Sequence, residues 1–448
     1  MKQAVHDLNQ GPVVRQLLQQ ILPLTLGLLL MLLFGVADAW FAGRLGAEAQ
    51  AALATGSTVF YLLVALAYGY SQSTAVFLGQ AHAAGQVAQL RPQLVQALLG
   101  ALSVGCVLGA LAAIGLEGLL QLLGGGGGMA HRYLKTLLPA VPLFYLLMVL
   151  YGAFNGLGLA VLFSRIMLAS FGLGLLCNAW LFLWSGWAPG LVGLAWTTLL
   201  VQSVALLWGG YLLWRRLPPS GVGMWQLQPA LLGPWFKLGT LAGLTFLFIA
   251  GGTYVLFVFI QPWGAVAQAS ALLVLRLEQL WSMPVIALGY AVLGMVAQAQ
   301  GAGLPERVRE VWRSGLWIGM PLSLLFAAAL YGLAPALCAG FTTEPAVLAQ
   351  AIQGVRIMCW CALGYVLMLV SGQALQGLQR PLCNFLGGLS RHLLLQPLLF
   401  WWATQHVASS TSLWWSILLA ALLVGACMVL VAWRQLPGRA SRQPVMAT

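Results

Sequence analysis

Twelve runs of mostly apolar residues, each long enough to form a membrane-crossing helix, divide this chain. A helix needs about 20 such residues to cross the hydrocarbon of a bilayer. Only 6% of the 448 residues are charged, whereas a soluble domain carries about 25%. A surface so poor in charge is typical of a protein whose main solvent is lipid. The predicted spans are residues 21–41, 53–78, 94–116, 137–154, 166–184, 191–214, 238–260, 271–296, 316–337, 357–375, 385–402 and 413–433.

The basic residues predict how these spans are oriented. With twelve spans both termini lie on one side. Fifteen of the 20 Lys and Arg residues fall on that side, counting Arg391 of the predicted span 385–402, against four on the other side and Arg276 well inside a span. Because cytoplasmic loops are enriched in Lys and Arg, we expect both termini in the cytoplasm, with the chain in a bacterial-type inner membrane. The net charge of +12 is spread over short loops, which argues against nucleic-acid binding.

The two halves of the chain contain related motifs. Residues 43–51 resemble residues 261–269 at an offset of 218, and the same offset aligns 78–81 with 296–299. A third match, 155–157 with 376–378, lies at an offset of 221. Since each half has six spans, both halves enter the membrane from the same side, so the repeat is parallel and its pseudo-twofold axis follows the membrane normal.

The predicted fold is therefore an all-α polytopic membrane protein in two six-helix lobes. The N-terminal lobe comprises residues 1–217, and the C-terminal lobe comprises residues 236–448. Between them, the Pro- and Gly-bearing stretch 218–235 is predicted to be a cytoplasmic linker.

Two of the eight acidic residues, Asp38 and Glu278, lie well inside predicted spans. Placing an ionised carboxylate at mid-bilayer costs roughly 2.5–3.5 kcal/mol on insertion scales, so the carboxylate should face a cavity or a partner. Arg276 precedes Glu278 by two residues, but residues at i and i+2 lie on different helix faces, so a direct pair is not expected. Two explanations fit an acid inside a span. It can form a structural hydrogen bond, for example Asp38 with Asn178 or Thr198, or it can take part in transport.

Several motifs resemble those of MATE (multidrug and toxic compound extrusion) transporters of the NorM and DinF type. Residues 23–52, which include Asp38, are similar to the family's first helix and loop, and residues 276–303 are similar to its eighth helix and glycine-rich end. Shorter matches occur at 78–81 and 155–158. The resemblance implies a secondary antiporter that exports small organic compounds, often cationic, in exchange for H⁺ or Na⁺.

The resemblance also implies a cation-coupling site in the first lobe. The family joins an Asp on helix 1 to an Asn and a second Asp on helix 5, with a Thr on helix 6. Asp38, Asn178 and Thr198 match this pattern, but Phe182 stands at the position of the second Asp. One carboxylate with two neutral oxygens offers few ligands for Na⁺, whereas the carboxylate alone can bind a proton. H⁺ is therefore favoured as the coupling ion.

In the second lobe, the acidic residues that the NorM branch carries on helices 7 and 10 are missing, and Ile249 and Tyr365 stand near those positions. The candidates for a substrate cavity there are Glu278, Arg276 and Tyr365.

Other classes of membrane protein fit the sequence less well. A lipid-linked oligosaccharide flippase, or another lipid flippase of the same superfamily, is the alternative, although such proteins usually need several cationic residues in their cavity. An intramembrane enzyme is not predicted, because none of the five histidines stands near a nucleophile or a metal-ligand cluster. A channel is disfavoured because no charged ring or repeated filter sequence occurs. We expect no metal and no cofactor, a small-molecule substrate and the bilayer as partners, and a monomer.

Overall fold

The computed structural model describes residues 8–122, 128–184, 190–219, 229–407 and 409–437. These residues are almost entirely helical, and no strand occurs among them. The sixteen α-helices in this part of the chain are α1 (Val13–Arg44), α2 (Ala47–Ala83), α3 (Leu90–Ile114), α4 (Leu116–Leu122), α5 (Gly128–Leu137), α6 (Ala140–Gly156), α7 (Ala160–Ala179), α8 (Leu191–Trp214), α9 (Pro229–Ile260), α10 (Gly264–Gly301), α11 (Pro305–Ala339), α12 (Pro345–Met358), α13 (Cys361–Gly377), α14 (Pro381–Leu389), α15 (Gln396–His406) and α16 (Thr411–Gln435).

The predicted spans fall on these helices. Among the described residues, eight helical stretches are long and apolar enough to cross a membrane, or ten if each of two bent pairs counts as one span. One stretch, Pro229–Gly301, contains both α9 and α10. The bent pairs are α5 with α6, at 47°, and α12 with α13, at 42°. The predicted span 385–402 falls on α14 and α15, which a π-helical segment at Ser390–Leu395 separates.

The described chain forms two compact units. Unit 1 contains Leu26–Gly243, and unit 2 contains Leu8–Thr25 together with the chain from Leu244 onward. The divisions therefore fall inside α1 and α9. Of the predicted linker, residues 220–228 lie outside the described residues, and α9 begins at Pro229.

Equivalent helices of the two units end in the same way. Each ends with a residue in the left-handed conformation, after which the next amide N–H bonds to the carbonyl five residues back, the Schellman pattern. Glycine is favoured there because it has no Cβ. The residues, with their φ angles, are Gly85 (73°) and Gly303 (68°) after α2 and α10, and Gly158 (69°) and Gln379 (59°) after α6 and α13.

Close helix packing fixes the start of α9 in unit 1. A Cβ atom at Gly69 of α2 would overlap the backbone of α9 at Gly239. The neighbouring Tyr70 stacks on Trp235, with ring centroids 4.7 Å apart, and the Ser73 hydroxyl donates to the Trp235 carbonyl at 2.8 Å. Small residues at such crossings are typical of helix packing in membranes.

The start of α1 is held in unit 2 by hydrogen bonds. The Arg307 guanidinium donates to the Leu8 carbonyl at 2.9 Å and to the Gln16 side-chain oxygen at 2.9 Å. The Leu8 amide donates to the side-chain oxygen of Gln298 at 2.9 Å, and that glutamine is fully buried. These bonds explain why residues Leu8–Thr25 belong to unit 2.

Candidate functional site

Unit 1 contains a cavity of about 320 Å³ between its helices. Residues of α1, α2, α5, α6, α7 and α8 form its wall, and most of them are aromatic, aliphatic or methionine side chains. A volume of this size is at the small end of the range of ligand pockets, which is about 300–1,000 Å³. Eight aromatic side chains line the cavity, namely Phe34, Phe60, Tyr61, Tyr68, Tyr133, Phe144, Tyr151 and Phe171.

Asp38 is the one acidic side chain on the described wall of this cavity. Its carboxylate accepts a hydrogen bond from the side-chain amide of Asn178 at 3.0 Å. Asn178 is 1% exposed, and its side-chain oxygen is buried without a hydrogen-bond partner. The structure therefore brings together the Asp and the Asn that the sequence analysis singled out.

Thr198 lies on the same wall but is engaged elsewhere. Its hydroxyl donates to the carbonyl of Leu194 on its own helix at 2.9 Å, the common arrangement for a threonine inside a span. Phe182 packs its ring against Phe41 with centroids 5.4 Å apart. Phe182, which stands where the resembling family has its second Asp, thus contributes an aromatic contact in this protein.

Two further polar groups face the cavity that sequence reasoning did not identify. The hydroxyl of Tyr151 and the side-chain oxygen of Gln202 are buried without hydrogen-bond partners, and both residues line the cavity. Buried polar groups in proteins are nearly always paired, so these two have unused capacity for a ligand or water. A glutamine inside an apolar span was the available signal for Gln202.

Unit 2 places Glu278 and Tyr365 in direct contact. The Tyr365 hydroxyl donates a short hydrogen bond to the Glu278 carboxylate. Trp281, one turn further along α10, packs on the Tyr365 ring with centroids 5.3 Å apart. Two of the three predicted residues of this lobe are thus assembled, whereas Arg276 lies on the exposed side of α10. Ile249 is 40% exposed on α9.

Arg391 joins this pair, although the sequence analysis only counted it with the cytoplasmic side and did not name it as a site residue. Arg391 is only 3% exposed, and its guanidinium carbon lies 4.1 Å from the centroid of the Tyr365 ring. It lies on the π-helical segment Ser390–Leu395, within the predicted span 385–402. The equivalent helix of unit 1 also has a π-helical segment, Trp180–Trp184, which begins two residues after Asn178. Such segments are frequent at functional sites.

Among the described residues, no group of three or more His, Cys, Asp or Glu side chains lies close enough to hold a metal ion. The two candidate sites are therefore a half-buried carboxylate on an aromatic cavity in unit 1 and a Glu–Tyr–Arg cluster in unit 2.

Known proteins similar in sequence are membrane transporters. The chain is 28% identical over 408 residues to a FAD transporter of Shewanella oneidensis, covering 87% of this chain and 88% of that protein. It is 29% identical over 370 residues to a probable multidrug resistance protein, NorM, of Aromatoleum aromaticum, covering 79% of this chain and 78% of the relative.

Solved structures share the fold. A MOP superfamily transporter from Pyrococcus furiosus superposes with a TM-score of 0.91 at 19% identity, covering 97% of this chain and 98% of that one. A MATE transporter of Vibrio cholerae superposes with a TM-score of 0.89 at 17% identity, covering 94% and 96%. This likeness confirms the predicted all-α fold of twelve spans in two six-helix lobes.

The family profile MatE matches the chain twice, at residues 23–180 and 242–399. The two matches begin 219 residues apart, which confirms the parallel repeat inferred from the motif offset of 218. The chain therefore belongs to the MATE family of transporters.

Proposed function

We propose that the chain is a secondary antiporter that exports small organic cations in exchange for H⁺, with Asp38 as the coupling residue. The observation that carries this proposal is the Asp38 carboxylate, which lies on the wall of an aromatic cavity and is hydrogen-bonded to the buried Asn178. A single acid at a ligand-sized cavity can hold either a proton or a cationic substrate. Competition for one carboxylate is the simplest way to couple the two.

The cavity wall suits an organic cation in two respects. Its carboxylate supplies the opposite charge, and its eight aromatic side chains offer ring faces that attract cations. Each cation–π contact contributes about 0.5–2 kcal/mol, and the larger values apply where water is excluded. Protonation of Asp38 would remove the counter-charge and release the cation.

The ligand set around Asp38 supports H⁺ over Na⁺. Asn178 presents its amide N–H₂ group, not its oxygen, to the carboxylate, and the Thr198 hydroxyl proton is directed to Leu194. Sodium requires several oxygen ligands around one point, whereas a proton requires only the carboxylate itself.

Transport in proteoliposomes tests the proposal. Vesicles that are acidic inside should accumulate ethidium, and replacing Na⁺ by choline at fixed pH should leave the rate unchanged. Asp38→Asn keeps the size and a polar side chain but removes ionisation, so it should abolish pH-driven uptake. Glu117→Gln is the matched control, because Glu117 is exposed on α4. Loss of uptake in choline, with no response to the pH gradient, would rule out proton coupling.

A second candidate is export of a flavin dinucleotide. The 28% identity to a FAD transporter over 88% of that protein favours it, and planar flavin rings stack well on aromatic side chains such as those of the cavity. The same vesicles discriminate the two functions. Accumulation of FAD, detected by its fluorescence, with none of ethidium would replace the cation in the proposal by the dinucleotide.

We also propose that the protein acts as a monomer in the bacterial inner membrane with both termini in the cytoplasm. The excess of Lys and Arg on the side of the termini supports this orientation even with Arg391 removed from the count, at fourteen to four. In a variant without the native cysteines, single cysteines introduced at Gln86 and at Glu48, exposed residues near opposite ends of α2, should react with a membrane-impermeant maleimide from the cytoplasm and from outside, respectively. The reverse pattern would contradict the orientation.

A further inference from the structure

Arg391 is a buried cation of unit 2 that forms no hydrogen bond with a carboxylate among the described residues. Its Nε atom is buried and has no hydrogen-bond partner. One terminal nitrogen donates to the Met368 sulfur at 3.9 Å, and a thioether is a weak acceptor. Glu278 attracts the guanidinium electrostatically, but its carboxylate is hydrogen-bonded by Tyr365. A charge buried with unused donors is costly unless something satisfies it.

Tyr365 contacts both Arg391 and Glu278. The face of its ring supports the guanidinium, with 4.1 Å between the guanidinium carbon and the centroid, while its hydroxyl satisfies the Glu278 carboxylate. The guanidinium thus occupies the place on the aromatic face, beside an acid, that a cationic ligand would take. What this cluster lacks is an acceptor for the N–H groups of Arg391.

The π-helical backbone presents the cation to the interior. Arg391 and His392 are consecutive residues, yet they are 3% and 8% exposed, so both point into unit 2. His392 packs against α9, where a Cβ atom at Gly252 would come within 2.9 Å of the imidazole Nδ1. The histidine therefore packs this turn against α9.

We propose that Arg391 is the centre of an anion site in unit 2 that binds the carboxylate or phosphate group of a small organic anion. A guanidinium has five N–H donors in a planar fork, which matches the two oxygens of either group. Arg is preferred over Lys for such recognition because its fork is pre-organised. The site takes a ligand of opposite charge to the one proposed for Asp38, so it stands independently of that function.

Two dyes with one skeleton test the site. Fluorescein carries a carboxylate and is anionic near neutral pH, while rhodamine 123 is a cationic ester with the same xanthene and phenyl rings. Both would be titrated by fluorescence anisotropy against the full-length protein in phosphatidylcholine nanodiscs. Arg391→Gln should weaken fluorescein binding about tenfold to a hundredfold, because it removes hydrogen bonds to a charged group. Rhodamine 123 binding should not change.

Arg313→Gln is the matched control, since it makes the same charge change at an exposed position of α11, and it should leave both affinities unchanged. If Arg391→Gln does not fold, Arg391→Lys replaces it and should still weaken fluorescein binding several-fold, because the fork is lost. The proposal is overturned if the wild type binds fluorescein no more tightly than the Arg391 variant, or if that variant loses both dyes equally. A greater loss of fluorescein binding in phosphatidylglycerol discs for the wild type than for the Arg391→Gln variant would identify an anionic lipid headgroup as the ligand that Arg391 holds.

Discussion

Exchanging the residues at two equivalent helix ends should change stability in opposite directions. Gly158 and Gln379 end α6 and α13 with φ of 69° and 59°, in the same Schellman pattern. A non-glycine residue in this conformation costs about 1–2 kcal/mol. Unit 2 therefore carries a strain at Gln379 that unit 1 avoids with a glycine.

The expected magnitude follows from two opposing contributions. Gln379→Gly relieves about 1–2 kcal/mol of backbone strain, but it also increases the entropy of the unfolded chain, which costs about 0.4–1 kcal/mol. The net gain in the free energy of unfolding is about 0.5–1 kcal/mol. For units of roughly 200 residues, 1 kcal/mol shifts the Tm by about 2–4 °C. Gln379→Gly should therefore raise the Tm by about 1–4 °C, and Gly158→Gln should lower it by at least as much.

A thiol-reactive fluorogenic dye suits the measurement, because Cys338, Cys359 and Cys361 are buried and react only as the protein unfolds. Gln89→Gly is the control, since Gln89 has an ordinary φ of −89° and its side chain takes part only in an exposed 3.4 Å hydrogen bond with Gln93, so glycine there brings mainly the entropic cost. The reasoning is refuted if Gln379→Gly lowers the Tm as Gln89→Gly does, or if Gly158→Gln raises it.

Three further variants test other contacts. Gly69→Ala should lower the Tm by several degrees, because its Cβ would overlap the backbone of α9. The control is Gly172→Ala, whose Cβ meets nothing within 4 Å and which should raise the Tm slightly through helix propensity. Equal effects of the two variants in a thermal melt would contradict the packing. Asn178→Leu should cut pH-driven uptake at least tenfold while leaving folded protein on size-exclusion chromatography, because it removes the hydrogen bond to Asp38; unchanged uptake would make that bond dispensable. Tyr365→Phe should destabilise the protein by about 1–3 kcal/mol in the same melt, since a buried carboxyl group loses its donor; an unchanged Tm would show that water or another residue replaces the hydroxyl.

The fold could be predicted because two of its features, the apolar runs and the internal repeat, are visible along the sequence itself. Apolar runs mark the spans, since a helix in lipid must satisfy its own backbone. The glycines at the turns, Gly46 and Gly264, reveal the alignment of the two repeats. Their φ angles of 108° and 85° are rarely adopted by other residues, so glycine recurs at the equivalent position. The match of Asp38 with Asn178 was also predictable, since an acid inside a span needs a nearby partner.

The cluster around Arg391 could not be read in the same way. The span 385–402 was predicted, but hydropathy does not show which way Arg391 points, and only the π-helical turn with its tertiary packing places its side chain inside unit 2. The contacts of Thr198 and Tyr151 depend likewise on rotamers and on neighbouring helices. Hydropathy reports how much a segment prefers lipid, and it carries no information about which side chains meet inside a lobe.

Because α1 is divided between the two units, the two halves of the sequence do not coincide with the two structural units. A gene cut between residues 219 and 229 would encode a first fragment that carries Leu8–Thr25, although these residues form hydrogen bonds with Arg307 and Gln298 of the second. Neither fragment would hold a complete unit, so each should fold poorly when synthesised alone. Co-expressed fragments should complement each other. The two halves of the gene would thus have to be expressed together for either unit to form completely.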